Sequence, residues 1–228
     1  MAQTAGDSEE DLLLRLQRGE AEALAELFSR HRERLARGVR FRLHPALRRR
    51  VDVEDILQEV YLRAAQRMAS FAGCSSESFF VWVRMIAAQA LVDLHRRHLG
   101  AQARDAGLEV YGLGGYSAEA TSTSLAFELA ADRTSPSQAA IRKEMAEQVE
   151  RAIESMDPID REILALRHFE ELSNGEVAQV LGIQEKAASI RYVRALARLK
   201  KILERLSDFD LGARGPGASG GGREADER

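Results

Sequence analysis

The sequence predicts an all-α protein of two small helical domains joined by a flexible linker, the second containing a helix-turn-helix. Three observations lead there. Apolar residues recur at spacings of three and four along most of the chain, and no alternating run of strand length interrupts them. Helix-start residues stand ahead of several of these stretches. The 228 residues, 45% hydrophobic and 30% charged, suffice for one or two compact cores, while a Gly, Ser and Thr-rich stretch in the middle has little to bury.

Ser8 with Asp11 opens the first helix, which carries Leu12 to Leu16 and breaks at Gly19. Glu20 to Leu43 follows with Leu24, Leu27, Phe28, Leu35 and Val39 inward, and His44-Pro45 ends it. Asp52 caps the next helix, whose Ile56, Val60 and Ala64 share a face to about Met68. A loop from Ser70 to Ser78 leads to a fourth helix, Phe79 to Leu99, with Phe79, Val83, Ile86, Ala87, Ala90 and Leu94 at helical spacing. The first domain thus covers residues 8–99, and residues 100–135 read as the flexible linker. Ser135-Pro136-Ser137-Gln138 and Asp157-Pro158 are the next two helix starts. Ser173-Asn174-Gly175-Glu176 is a capping box opening a short helix that stops at Gly182, and Glu185 to Leu206 forms the last helix. The second domain covers residues 136–206, and residues 207–228 read as a disordered tail.

The net charge of -3 conceals segregation. Arginines crowd residues 30–50, and Lys186, Arg191, Arg194, Arg198, Lys200 and Lys201 crowd the last helix, whereas acids gather at Asp52 to Glu59 and at the end of the chain. Surfaces of opposite sign imply two kinds of partner, one bearing phosphates and one bearing basic groups. No apolar run approaches the roughly 20 residues of a membrane span, and the polar, acidic start is unlike a signal peptide, so a cytoplasmic location without membrane insertion is expected. Cys74 is the only cysteine, which excludes a disulfide framework and a CxxC zinc site. His95 and His98 stand one turn apart but lack a third ligand at metal spacing. No phosphate-binding loop, HExxH, GxSxG or paired-carboxylate motif is present, so neither catalytic residues nor a cofactor are expected.

The sharpest local pattern is Leu172 to Leu199, a capped helix, a tight turn at Leu181-Gly182-Ile183 and a second, basic helix. Ala188, Tyr192, Ala195 and Leu199 form its packing face. Lys186, Ser189, Ile190, Val193 and Arg194 face out, a set suited to a major groove in which Arg reads guanine and Ile or Val meets thymine methyls. From spacing alone a helical hairpin that binds only protein stays open.

The segment DREILALRHFEELSNGEVAQVLGI, Asp160 to Ile183, resembles the C-terminal domain of bacterial RNA polymerase sigma factors. DVEDILQEVYLRA, Asp52 to Ala64, resembles the family's polymerase-binding helix, and FFVWVRMIAAQALVDLHRR, Phe79 to Arg97, its promoter-melting helix. The two-domain layout is similar to the extracytoplasmic-function group. The resemblance implies that Asp52, Asp55, Gln58, Glu59 and Arg63 dock on the clamp of core RNA polymerase. It implies that Phe71, Gly73, Phe80, Trp82, Arg84, Gln89, Asp93, Arg96 and Arg97 act at the minus-ten promoter DNA. Trp82 is equally well read as a core aromatic. Lys186, Ser189, Ile190, Arg191, Val193 and Arg194 are implied at the minus-thirty-five element, with one of the two arginines bracing the fold or a phosphate, and the second domain is implied to bind the polymerase flap. Phe71-Ala72-Gly73-Cys74 and Lys186-Ala187-Ala188 depart from the family's usual residues, so promoter sequence does not carry over. An anti-sigma factor is a partner the sequence leaves open. A stand-alone helix-turn-helix regulator and a helical adaptor that binds protein alone are the rival readings.

Overall fold

A computed structural model describes residues 7–44, 47–72, 78–99, 118–131 and 139–213. Within them every regular element is helical: α1 (Glu9–Gln17), α2 (Ala21–Arg42), α3 (Val53–Gln66), α4 (Met68–Ala72), α5 (Phe79–Leu99), α6 (Ala118–Ala131), α7 (Ala139–Ile153), α8 (Pro158–Leu164), a π-helical turn (Ala165–Phe169), α9 (Asn174–Leu181) and α10 (Glu185–Ala213).

Local chemistry sets the boundaries. The Ser8 side chain accepts from the Asp11 amide at 3.1 Å, Asp52 from Glu54 at 3.0 Å and Asp157 from Ile159 at 2.9 Å, each satisfying an amide that the first turn of a helix leaves unpaired. The Ser173 and Glu176 box is reciprocal, and Gly182 closes α9 in the left-handed conformation, φ +64°, that only glycine adopts without cost.

The N-terminal helices pack Leu12, Leu16, Leu24, Leu27, Phe28, Ile56, Val60 and Ala64 around α5. That helix is buried almost all round, from Phe79 through His95, because the C-terminal half covers the face that α2 and α3 leave open. Ile163, Leu166, Leu172, Val177 and Val180 belong to the same apolar cluster as α5. A second cluster holds Leu125, Val149, Ile153, Met156, Leu164 and Ala195, into which α2 inserts Phe41, stacked on Phe169 at 4.7 Å.

Three expectations about organisation are corrected. The stretch read as flexible linker contains α6, whose Leu125, Ala126 and Ala130 are buried and whose Ser and Thr residues find partners, Thr121 on Glu162 at 2.5 Å and Thr123 on Glu150 at 2.5 Å. Hydroxyls satisfied in this way bury without penalty, so a Ser and Thr-rich sequence did not mean a loop. The loop expected from Ser70 begins inside α4, which turns Phe71 inward. The last helix runs to Ala213, seven residues into the expected tail. The helix start expected at Ser135 to Gln138, the remainder of the linker and tail, Gly73 and Cys74 lie outside the described residues.

Candidate functional site

The helix-turn-helix is formed by α9 and α10. Ala188 and Ala195 are fully buried and Tyr192 and Leu199 partly so, which confirms the packing face and leaves Lys186, Ile190, Val193 and Arg194 exposed, with Ser189 half-buried beside them. Val193 is 63% exposed and Ile190 44%, an apolar presentation that folding alone does not reward. Leu196 continues that stripe and was absent from the expected set. Arg191 turns back instead. Its guanidinium donates to Asp160 at 2.8 Å and lies 3.8 Å from Asp157, so it clamps α10 onto the start of α8. Of the two arginines, Arg191 is thus the brace and Arg194 the one offered to solvent.

The exposed side of α3 carries Asp55, Gln58 and, one turn on, Leu62, which is 55% exposed and was not singled out by the sequence. Asp52 is exposed and spends one oxygen on its cap. Glu59 is half-buried, bonded to Arg63 within the helix and 3.5 Å from Arg97 of α5. Arg63 also donates to Asp93 at 2.7 Å, and these two carboxylates hold its pKa up against the desolvation that would lower it. Glu59 and Arg63 therefore tie α3 to α5, and the freely presented acid is Asp55.

The expected minus-ten set divides. Gln89, Arg96 and Arg97 form an exposed strip along the C-terminal half of α5 with Asp93 half-buried among them, and Arg67, unanticipated, joins it by donating to Gln89 at 3.0 Å. Phe71, Phe80, Trp82 and Arg84 do not belong to that surface. Phe71 and Trp82, 5.1 Å apart, pack with Phe79 in the core. Phe80 is 2% exposed with the Arg34 guanidinium 3.6 Å above its ring. Arg84 is buried because it donates to Glu170 at 2.6 Å and faces Glu162 at 3.8 Å.

Those acids complete a cluster that the sequence did not reveal. Arg42 donates to Glu170 at 2.7 Å, to both oxygens of Glu162 at 2.8 and 3.1 Å and to Thr121 at 2.8 Å. All four charged side chains are 7% exposed or less. Burial alone would raise the Glu170 pKa, but Arg84 and Arg42 together hold it below the ordinary carboxylate value. Gly38 lies beside the cluster, where a Cβ would stand in ordinary van der Waals contact, 3.4 Å, with the Glu170 carboxylate. Outside the cluster, Arg34 donates to Glu176 at 2.6 Å and to the Glu171 carbonyl at 2.9 Å, and Arg37 pairs with Glu171. Burial would raise the Glu176 carboxyl, yet Arg34 and the Ser173 amide hold it low.

His95 faces the interior and its Nε2 accepts the His44 amide at 3.2 Å, whereas His98 is exposed, so the two histidines of α5 do not converge. Among the described residues no group of three or more His, Cys, Asp or Glu is placed to hold a metal, and no helix is long and apolar enough to cross a membrane.

Comparison with known proteins matches the description "Sigma-70 region 2" to residues 27–99 and "Sigma-70, region 4" to residues 146–199. A probable RNA polymerase sigma factor RfaY of Xanthomonas campestris is 32% identical over 71% of this chain, which spans 36% of that protein's length. The RNA polymerase sigma factor NccH of Alcaligenes xylosoxydans is 29% identical, covering 86% of this chain and 95% of its own. The ECF RNA polymerase sigma factor SigW of Bacillus subtilis is 26% identical, covering 68% and 77% respectively. In fold the chain is similar to CnrH, solved in complex with the cytosolic domain of CnrY, with a TM-score of 0.50, 23% identity and coverage of 87% of this chain and 99% of that one.

Proposed function

The chain belongs to the sigma-70 family, in its extracytoplasmic-function group, and on that premise we propose how its surfaces divide the work of directing RNA polymerase to promoters. The exposed acidic face of α3, Asp55 and Gln58 around Leu62, docks on the basic clamp of core polymerase, where charge complementarity sets register and speeds encounter. The strip Gln89, Arg96, Arg97 and Arg67 holds the backbone of the melting minus-ten DNA. Arg194, with Ile190, Val193 and Ser189, enters the major groove at the minus-thirty-five element, and Lys186, Lys200 and Lys201 contact phosphates. The role is one of binding, carried out in the cytoplasm where the polymerase works. A protein regulator of the anti-sigma kind is a further partner in this reading.

The observation that carries it is the opposition of two surfaces on one chain, an acidic face on α3 and a basic face on α10 that has its packing side buried and its apolar residues Ile190 and Val193 turned outward. Co-purification with core polymerase, followed by footprinting on promoter DNA, tests it. The chain should bind core without DNA, and the complex should protect two separated elements. Protection of one duplex site by the chain alone, with no retention of core, would favour a stand-alone regulator.

A further inference from the structure

We infer that Glu59 is a positioning residue shared by the two surfaces of the N-terminal half. In the free chain its carboxylate detains Arg97 of the DNA strip, and a basic group of the polymerase clamp that takes Glu59 releases Arg97 to a phosphate. The inference rests on the proposed function, in which α3 meets the clamp and α5 the DNA. Glu59 stands where those surfaces meet. It follows Gln58, lies one helical turn from Asp55 and from Leu62, and turns one oxygen toward α5.

Its two oxygens are not held alike. Oε1 accepts from Arg63 within α3, and Arg63 in turn donates to Asp93 of α5 at 2.7 Å. Those contacts join the two helices without help from Arg97. Oε2 stands 3.5 Å from the Arg97 guanidinium, which is 58% exposed and donates its Nε to the Asp93 carbonyl of its own helix at 3.3 Å. An ion pair so open shifts an equilibrium by at most about fivefold, enough to compete with a phosphate and weak enough to exchange. While it persists, the fraction of chains with Arg97 ready for DNA falls by that factor, and the apparent affinity falls with it. A cation arriving at Asp55 and Gln58 meets Glu59 on the neighbouring turn and draws on the same oxygen. Coupling is reciprocal, so DNA that takes Arg97 leaves Glu59 to the clamp, and each partner strengthens the other.

The test uses the full chain, core polymerase and a fluorescent oligothymidylate, a single strand that offers phosphates and no promoter sequence. Glu59→Gln keeps an acceptor for Arg63 and removes the charge facing Arg97. Without core, this variant should bind the oligonucleotide about two- to fivefold more tightly than wild type. Its logarithmic salt dependence should steepen by about 0.7, as one further phosphate contact on a single strand requires. In the Arg97→Ala background Glu59→Gln should change neither quantity. Without DNA, Arg97→Ala should tighten core binding about two- to fivefold by returning Glu59 to the clamp, and the gain should vanish in the Glu59→Gln background. A residue that only braced the fold would not improve binding when removed. Circular dichroism verifies folding; Arg97→Gln replaces Arg97→Ala if the latter loses helicity, and if Glu59→Gln does so the core measurement with the single Arg97 variant decides. An effect of Glu59→Gln that persists without Arg97 is plain charge repulsion and overturns the inference. A wild type that binds core, but no more tightly after Arg97→Ala, also overturns it and leaves the proposed function standing. A wild type that does not bind core overturns the proposed function and this inference with it.

Discussion

Replacing Arg42 by Met removes one of two positive charges from a buried set of four and leaves Glu162 and Glu170 sharing Arg84 alone. Arg42 now gives those carboxylates four contacts of 3.1 Å or less and a fifth to Thr121. Removing one partner of a buried, hydrogen-bonded charge pair costs about 3–5 kcal/mol, chiefly because the surviving charge stays buried without compensation. Arg42→Met should therefore lower the free energy of urea unfolding by that amount. Glu162→Gln, which discharges one acid and keeps a hydrogen-bond acceptor for Arg42 and Thr121, should cost less alone. In the double variant the cluster is neutral again, with Arg84 and Glu170 still paired at 2.6 Å. The double should be more stable than Arg42→Met, a coupling of about 1–3 kcal/mol between contacting residues. If the two single effects add, charge balance does not govern this cluster and the reasoning fails.

Other expectations follow from single groups. Burial, with the neighbouring His44 second, pushes the His95 pKa down to about 4 from 6.5, so its contribution to stability is complete above about pH 6.5 and is lost as pH falls toward 4. At pH 5 the loss is about 2 kcal/mol, and His95→Gln should remove this part of the acid destabilisation while the part due to Glu170 and Glu176 remains; an unchanged pH profile by thermal melting would contradict it. Asp55→Arg with Gln58→Ala should weaken core binding several-fold without altering the melting temperature, since both side chains are exposed; pull-down titration measures it. Arg194→Ala should cost about 1–3 kcal/mol and relax preference at one promoter position, whereas Lys201→Ala should weaken all sequences alike and flatten the salt dependence, as a panel of promoter variants at two salt concentrations resolves.

Much of this was legible in local sequence because the signals are local. A serine or aspartate ahead of an apolar-periodic run fixed where α1, α3, α8 and α9 begin, and the three-four recurrence of Ala188, Tyr192, Ala195 and Leu199 separated the packing side of α10 from its outward side. The seam between the halves was not legible in the same way. Arg42 and Glu170 are 128 residues apart, and each read alone is an ordinary solvated charge. One signal did point there. Val81, Ala88 and Val92 break the one-sided pattern of α5, and a helix apolar on more than one side must be covered on more than one side. The same reasoning applies to Leu125, Ala126 and Ala130, which gave α6 a face to bury despite its Ser and Thr. Phe80 and Arg84, assigned to DNA by resemblance, lie inside for this tertiary reason and not because their helix was misplaced.

Run-off transcription with purified core polymerase on fragments of the source genome decides whether the chain directs initiation. Discrete transcripts should arise only when the chain is added, with start sites that share two upstream elements, and Asp55→Arg with Gln58→Ala should reduce them all in parallel. Transcripts that are the same with and without the chain would contradict the assignment of α3 to polymerase and of α10 to promoter DNA.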